Sequence, residues 1–109
     1  MKLKDEQLLW ELIDLDDTIA NNSGYPDYEL TTPIEDAKWA MEQITNAGRK
    51  VILFTARPWG EHETIESWLN KYEIPFRRII CAKTLGRHII DNSARQFKNN
   101  WREIIEEIL

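Results

Sequence analysis

The sequence predicts an α/β fold, a parallel sheet with helices on both faces. Three observations carry this. Short apolar runs recur at Leu8-Leu9-Trp10-Glu11-Leu12-Ile13, Val51-Ile52-Leu53-Phe54, Arg78-Ile79-Ile80-Cys81 and His88-Ile89-Ile90. Stretches with apolar residues at helical spacing separate the first three and follow the last. Polar or turn-forming residues close each run, so strands and helices alternate as parallel crossovers require. Right-handed crossovers then bring the strand ends to one edge of the sheet.

The first run reads as a buried strand, although Glu11 within it is expensive to bury unless it is paired. Either Glu11 faces a polar rim or the strand begins later than Leu8. The stretch 20–31 is polar and contains Gly24 and Pro26, so it reads as a loop. Thr32-Pro33-Ile34-Glu35 has the pattern of a capping box with proline at the first helical position. Ile34, Ala37, Met41 and Ile44 make an apolar stripe, and Gly48 supplies the stop. Trp39 falls off that stripe and is expected to pack under the preceding loop, with a contact to another molecule as the alternative. After the second run and Pro58-Trp59-Gly60, a helix carries Ile65, Trp68, Leu69 and Tyr72 and ends before Pro75. A last helix carries Phe97, Trp101, Ile104, Ile105 and Ile108.

A chain of 109 residues has room for one domain. Its hydrophobic fraction of 42% and charged fraction of 30% are ordinary for a soluble globule. No apolar run approaches a membrane span, and the first residues lack the apolar core of a signal peptide, so no membrane partner is expected. The single cysteine, Cys81, excludes an intrachain disulfide and fits a reducing, cytoplasmic compartment. Cys81 lies in an apolar run and reads as a small buried hydrophobe rather than a nucleophile. A net charge of −5 gives no overall basic surface for nucleic acid, and Arg49-Lys50 and Arg77-Arg78 are the doubled basic sites.

The chemistry lies at the strand ends. Asp14-Leu15-Asp16-Asp17-Thr18 follows the first run, and closely packed carboxylates need a compensating cation or hydrogen bonds. In an open α/β sheet, ligands bind at that edge, and hard oxygen ligands suit Mg²⁺. A helix N-cap or a solvated acidic turn is the plainer alternative. Thr55 closes the second run, Lys83 follows the third, and Asp91-Asn92 closes the fourth. Four strand ends thus deliver Asp/Asp, Thr, Lys and Asp in that order.

These residues resemble the four motifs of the haloacid dehalogenase (HAD) superfamily, and the resemblance runs from Leu8 to about Phe97. It implies a minimal Rossmann-like, HAD-like catalytic domain over residues 1–109. It further implies a Mg²⁺-dependent phosphomonoester hydrolase working through an aspartyl-phosphate. Asp14 would be the nucleophile, and Asp16 the general acid and then base. Thr55 would donate a hydrogen bond to the phosphate, and Lys83 would hold Asp14 and the phosphoryl group together. The Mg²⁺ would sit among Asp14, the main chain of Asp16, and Asp91. Arg57 is a candidate for an outer phosphate or acid group, with a structural salt bridge as its alternative. For Thr55 and Lys83 the alternatives are a strand-end hydroxyl and a solvated lysine, with Arg87 and Lys50 as competing cations. Asp17 reads as a turn-former, and Thr18 as a turn cap or a neighbour tuning Asp16. Asn92 stands where the family has a second aspartate, so Asp91 is the sure carboxylate of that motif.

Neither gap between motifs is long enough for a cap domain, so the site should be open unless residues 21–28 or a partner subunit of a homo-oligomer covers it. Tyr25, Tyr28 and Trp59 are expected to line the approach. The runs around Asp14, Thr55 and Asp91 look most like small capless phosphatases encoded near bacterial polysaccharide genes, which implies large or sugar-linked phosphates as substrates. A receiver-like domain is the first competing reading. It would need an aspartate where the second strand ends in Thr55. A catalytically idle binding module on the same fold is the other.

Overall fold

The computed structural model describes residues 2–22 and 29–109. The expectations for Tyr25 and Tyr28 fall outside them. Strands β1 (Trp10–Ile13), β2 (Lys50–Phe54) and β3 (Arg78–Ile80) form a three-stranded parallel sheet in the order β1-β2-β3. Helix α1 (Ala37–Asn46) connects β1 to β2, α2 (His62–Lys71) connects β2 to β3, and α3 (Trp101–Ile108) ends the chain. Two right-handed crossovers taken in the same direction leave α1 and α2 on the same face of the sheet.

Side-chain alternation then decides the core. Ile13, Val51, Leu53 and Ile79 point to the helical face and form one buried cluster with Ala37, Met41 and Ile44 of α1, Ile65 and Leu69 of α2, and Trp101, Ile104 and Ile105 of α3. The other face carries Leu12, Ile52, Phe54 and Ile80; Ile52 on the central strand is buried, whereas Leu12 on the edge strand is 57% exposed. The expected layer of helices on both faces is therefore corrected to a single helical layer.

The fourth strand also differs from expectation. His88-Ile89-Ile90 is irregular, Ile90 is 97% exposed, and the outer edge of β1 has no partner among the described residues. The run sits between Gly86 and a turn at Asp91, whose Oδ1 accepts hydrogen bonds from the Ser93 amide (2.7 Å) and hydroxyl (2.8 Å).

β1 begins at Trp10, after a 3₁₀ turn over Asp5–Leu9, which resolves the problem of Glu11. Its carboxylate is half-buried at the sheet's margin and accepts a hydrogen bond from Arg49 Nη1 at 2.7 Å. The capping box at Thr32 does not form. The Asn21 amide donates to the Thr32 carbonyl and the Ile34 amide to the Ile19 carbonyl, so residues 32–34 pair with residues 19–21 and α1 starts only after Asp36. Trp39 packs within the chain, its ring under the Arg102 guanidinium at 3.8 Å.

Both crossover helices end alike. Gly48 after α1 has φ +80°, and the Gly48 and Arg49 amides donate back to the carbonyls of Thr45 and Ile44. After α2 the Glu73 and Ile74 amides make the same two bonds, to Asn70 and Leu69. There the left-handed position is held by Glu73, at φ +56°. Among the described residues no helix is long and apolar enough to cross a membrane.

Candidate active site

The turn after β1 is built by its own backbone. The amides of Thr18, Ile19 and Ala20 all donate to the Leu15 carbonyl, and the Asp17 amide donates to Ala20. Asp17 stands at φ +59°, a conformation aspartate tolerates, and its Oδ1 accepts from the Asn22 amide at 3.2 Å. This is the turn-forming role expected of it. The buried Trp101 indole donates to the Thr18 carbonyl at 2.9 Å, tying the turn to α3.

The ends of β2 and β3 are stitched together past the last paired residues. The Thr55 amide donates to the Ile80 carbonyl, the Lys83 amide to the Thr55 carbonyl, and the Ala82 amide to the Arg57 carbonyl. Ala82 takes φ +62° to make this path. The result turns Lys83 back across the sheet edge, where its Nζ donates to Asp14 Oδ1 at 3.1 Å and lies 5.3 Å from the centre of the Phe54 ring. Asp14 keeps 43% of its side-chain surface exposed, whereas Lys83 keeps 13%.

A second ion pair forms beside it. The Arg57 guanidinium, 4% exposed, forks onto Asp16 through Nη2 to Oδ1 (2.7 Å) and Nε to Oδ2 (3.0 Å). Its Nη1 donates to Glu61 Oε1 at 2.8 Å. Burial by itself would lower the Arg57 pKa; its hydrogen bonds to Asp16 and Glu61 outweigh that and raise it. The Asn22 side-chain amide also donates to Asp16 Oδ1. Asn22 is buried, and its own Oδ1 has no hydrogen-bond partner among the described residues.

The structure thus brings Asp14, Asp16, Arg57 and Lys83 to one edge of the sheet. Thr55 is there too, but fully buried, and its hydroxyl accepts from the Arg57 amide at 3.1 Å. It shapes the turn rather than facing solvent. The Arg57 side chain takes the salt-bridge alternative. Asp91 is not brought in; its pKa is lowered by hydrogen bonds from the Ser93 amide and hydroxyl, a local turn and not the site. No group of three His, Cys, Asp or Glu side chains converges on a metal position among the described residues. Cys81 is buried beneath the site, and burial, with the charge of Glu61, pushes its thiol up. Trp59 is 53% exposed and stacks on His62 with ring centres 5.9 Å apart. Glu61 and Asn22 were missed from sequence. Glu61 had a signal, since it stands four residues after Arg57, a helical interval.

Fold and site together define a small α/β domain with a charged cluster at the carboxyl edge of a three-stranded parallel sheet. A crystal structure of a structural-genomics target from Vibrio cholerae is similar to it, with a TM-score of 0.65 at 21% identity over 90% of this chain and 97% of that one. At that identity the likeness shows the fold alone. No protein-family model and no curated protein matches the sequence.

Proposed function

We propose that the chain is a HAD-like phosphomonoester hydrolase, acting through an aspartyl-phosphate on substrates large enough to reach an uncapped site. The observation that carries this is the pairing of Lys83 with a half-exposed Asp14 at the carboxyl edge of the sheet, across β2. A carboxylate is a competent nucleophile at neutral pH, and a fixed ammonium beside it offsets repulsion between carboxylate and phosphate. Asp14 attacks phosphorus and the ester oxygen leaves. Asp16 gives that oxygen a proton, then takes one from the water that hydrolyses the acyl phosphate. Lys83 holds the Asp14 oxygen in line and faces the phosphoryl group.

The Mg²⁺ requirement belongs to the same proposal and rests on sequence. As it stands the arrangement does not fit the ion: Asp14 and Asp16 face Lys83 and Arg57, and Asp91 lies in its own turn. Asp91 would reach the cluster if residues 88–91 paired along the open edge of β1.

One observation favours a second reading, a binding module without turnover: both acids are already neutralised by cations of the chain. Hydrolysis of an aryl phosphate by the purified protein, followed with added Mg²⁺ and with EDTA, separates the two. Turnover is expected, and a requirement for Mg²⁺ that is lost in EDTA would show that Asp91 moves to the cluster to complete an ion site. No turnover with any phosphomonoester would leave the binding module, and full activity in excess chelator would remove the metal.

A further inference from the structure

We infer that Arg57 is a positioning residue for Asp16 and not a phosphate ligand, with Glu61 as its anchor; this rests on the phosphatase reading. The two residues are 41 apart in sequence and come from different strand ends, so only the fold joins them. A bidentate fork fixes the plane of a carboxylate as well as its distance, which a single hydrogen bond does not.

The surroundings leave Arg57 little choice. Its guanidinium is 4% exposed, its third direction is taken by Glu61, and its main chain is held at both ends. The amide donates to the Thr55 hydroxyl, and the carbonyl accepts from Ala82. A guanidinium so placed cannot swing out to a phosphate in solvent without leaving two carboxylates behind. The Asn22 amide donates to the same Asp16 oxygen. Asp16 is therefore held both from the segment after β2 and from the turn after β1. Proton transfer to a leaving oxygen depends steeply on where the acid stands, so the grip acts on the step that needs Asp16. Attack by Asp14, which pairs with Lys83 instead, does not pass through it.

The test compares two esters, an alkyl phosphate whose leaving group must be protonated and 2,4-dinitrophenyl phosphate, whose leaving group departs without a proton. Arg57→Ala is expected to lower kcat on the alkyl ester about 10²-fold, with KM unchanged, and to change the dinitrophenyl ester only a few-fold. Arg57→Lys, which keeps the charge but loses the fork, should show the same leaving-group pattern at smaller size and guards against a folding failure. Glu61→Gln should do likewise, and free guanidinium at millimolar concentration should restore part of the Arg57→Ala loss. Equal losses on both esters, or a raised KM with kcat intact, would overturn the inference. Should wild type hydrolyse neither ester, the phosphatase reading fails, and crystals of wild type and Arg57→Lys decide the rest. An Asp16 carboxylate that leaves its place upholds the grip, and one that stays against Asn22 removes it.

Discussion

Lys83 Nζ reaches Asp14 Oδ1 at 3.1 Å across a separation of 69 residues, and the backbone path that delivers it runs through Thr55 and Ala82. The pair joins the exits of two strands that are not neighbours in the sheet, since β2 lies between β1 and β3. A lysine largely withdrawn from water beside a carboxylate open to it is an arrangement suited to presenting the carboxylate. Lys83→Met keeps the stem on the Phe54 ring and removes the charge. It should lower kcat/KM for an aryl phosphate about 10²-fold, in line with the loss of one oriented charged donor. Steady-state kinetics check this, and a variant as active as wild type would remove Lys83 from the mechanism.

Asp14 and Asp16 should fail differently. Asp14→Asn should abolish turnover of every ester, because a neutral amide is a poor nucleophile towards phosphorus. Asp16→Asn should lose most on esters with poor leaving groups and least on activated phenols. A series of aryl phosphates of graded leaving-group acidity measures both. The same loss across the series for both variants would contradict the division of roles.

Glu73→Gly should stabilise the protein. Glu73 occupies the left-handed position that Gly48 fills after α1, and a side chain there costs about 1–2 kcal/mol, which glycine's greater unfolded-state entropy offsets only in part. The ion pair from Lys38 to Glu73, at 3.7 Å between exposed chains, contributes little in water. A net gain of about 0.5–1 kcal/mol, or a Tm raised by several degrees, is expected in thermal unfolding. A lowered Tm would show that the ion pair outweighs the backbone.

Ile90→Ser tests the open edge of β1. With Ile90 97% exposed, the change should move the urea midpoint by no more than about 0.5 kcal/mol in stability. A loss above about 2 kcal/mol, the size of removing a buried aliphatic chain, would mean that residues 88–90 join the sheet.

The strand and helix periods were legible in the sequence because they are local. Val51 to Phe54, the stripe of Ile65, Trp68 and Leu69, and the stop at Gly48 each follow from residues within a turn or two of one another. From alternation and crossover handedness it also followed that Asp14, Thr55 and Lys83 would meet at one edge. What the sequence left open was settled by partners far along the chain. The Thr32 capping box lost to pairing of residues 32–34 with Ile19 and Asn21, which holds the Thr32 carbonyl and the Ile34 amide in bonds to the turn after β1. Glu11 is compensated in β1 by Arg49, Arg57 was drawn inward by Asp16 and Glu61, and the run at Ile89 stayed outside the sheet. Local pattern determined the three strands that pair, the bodies of the helices and where the acids fall, whereas the burial and charge pairing of each site residue were decided by the tertiary structure, since desolvation and ion pairing depend on neighbours that no sequence interval specifies.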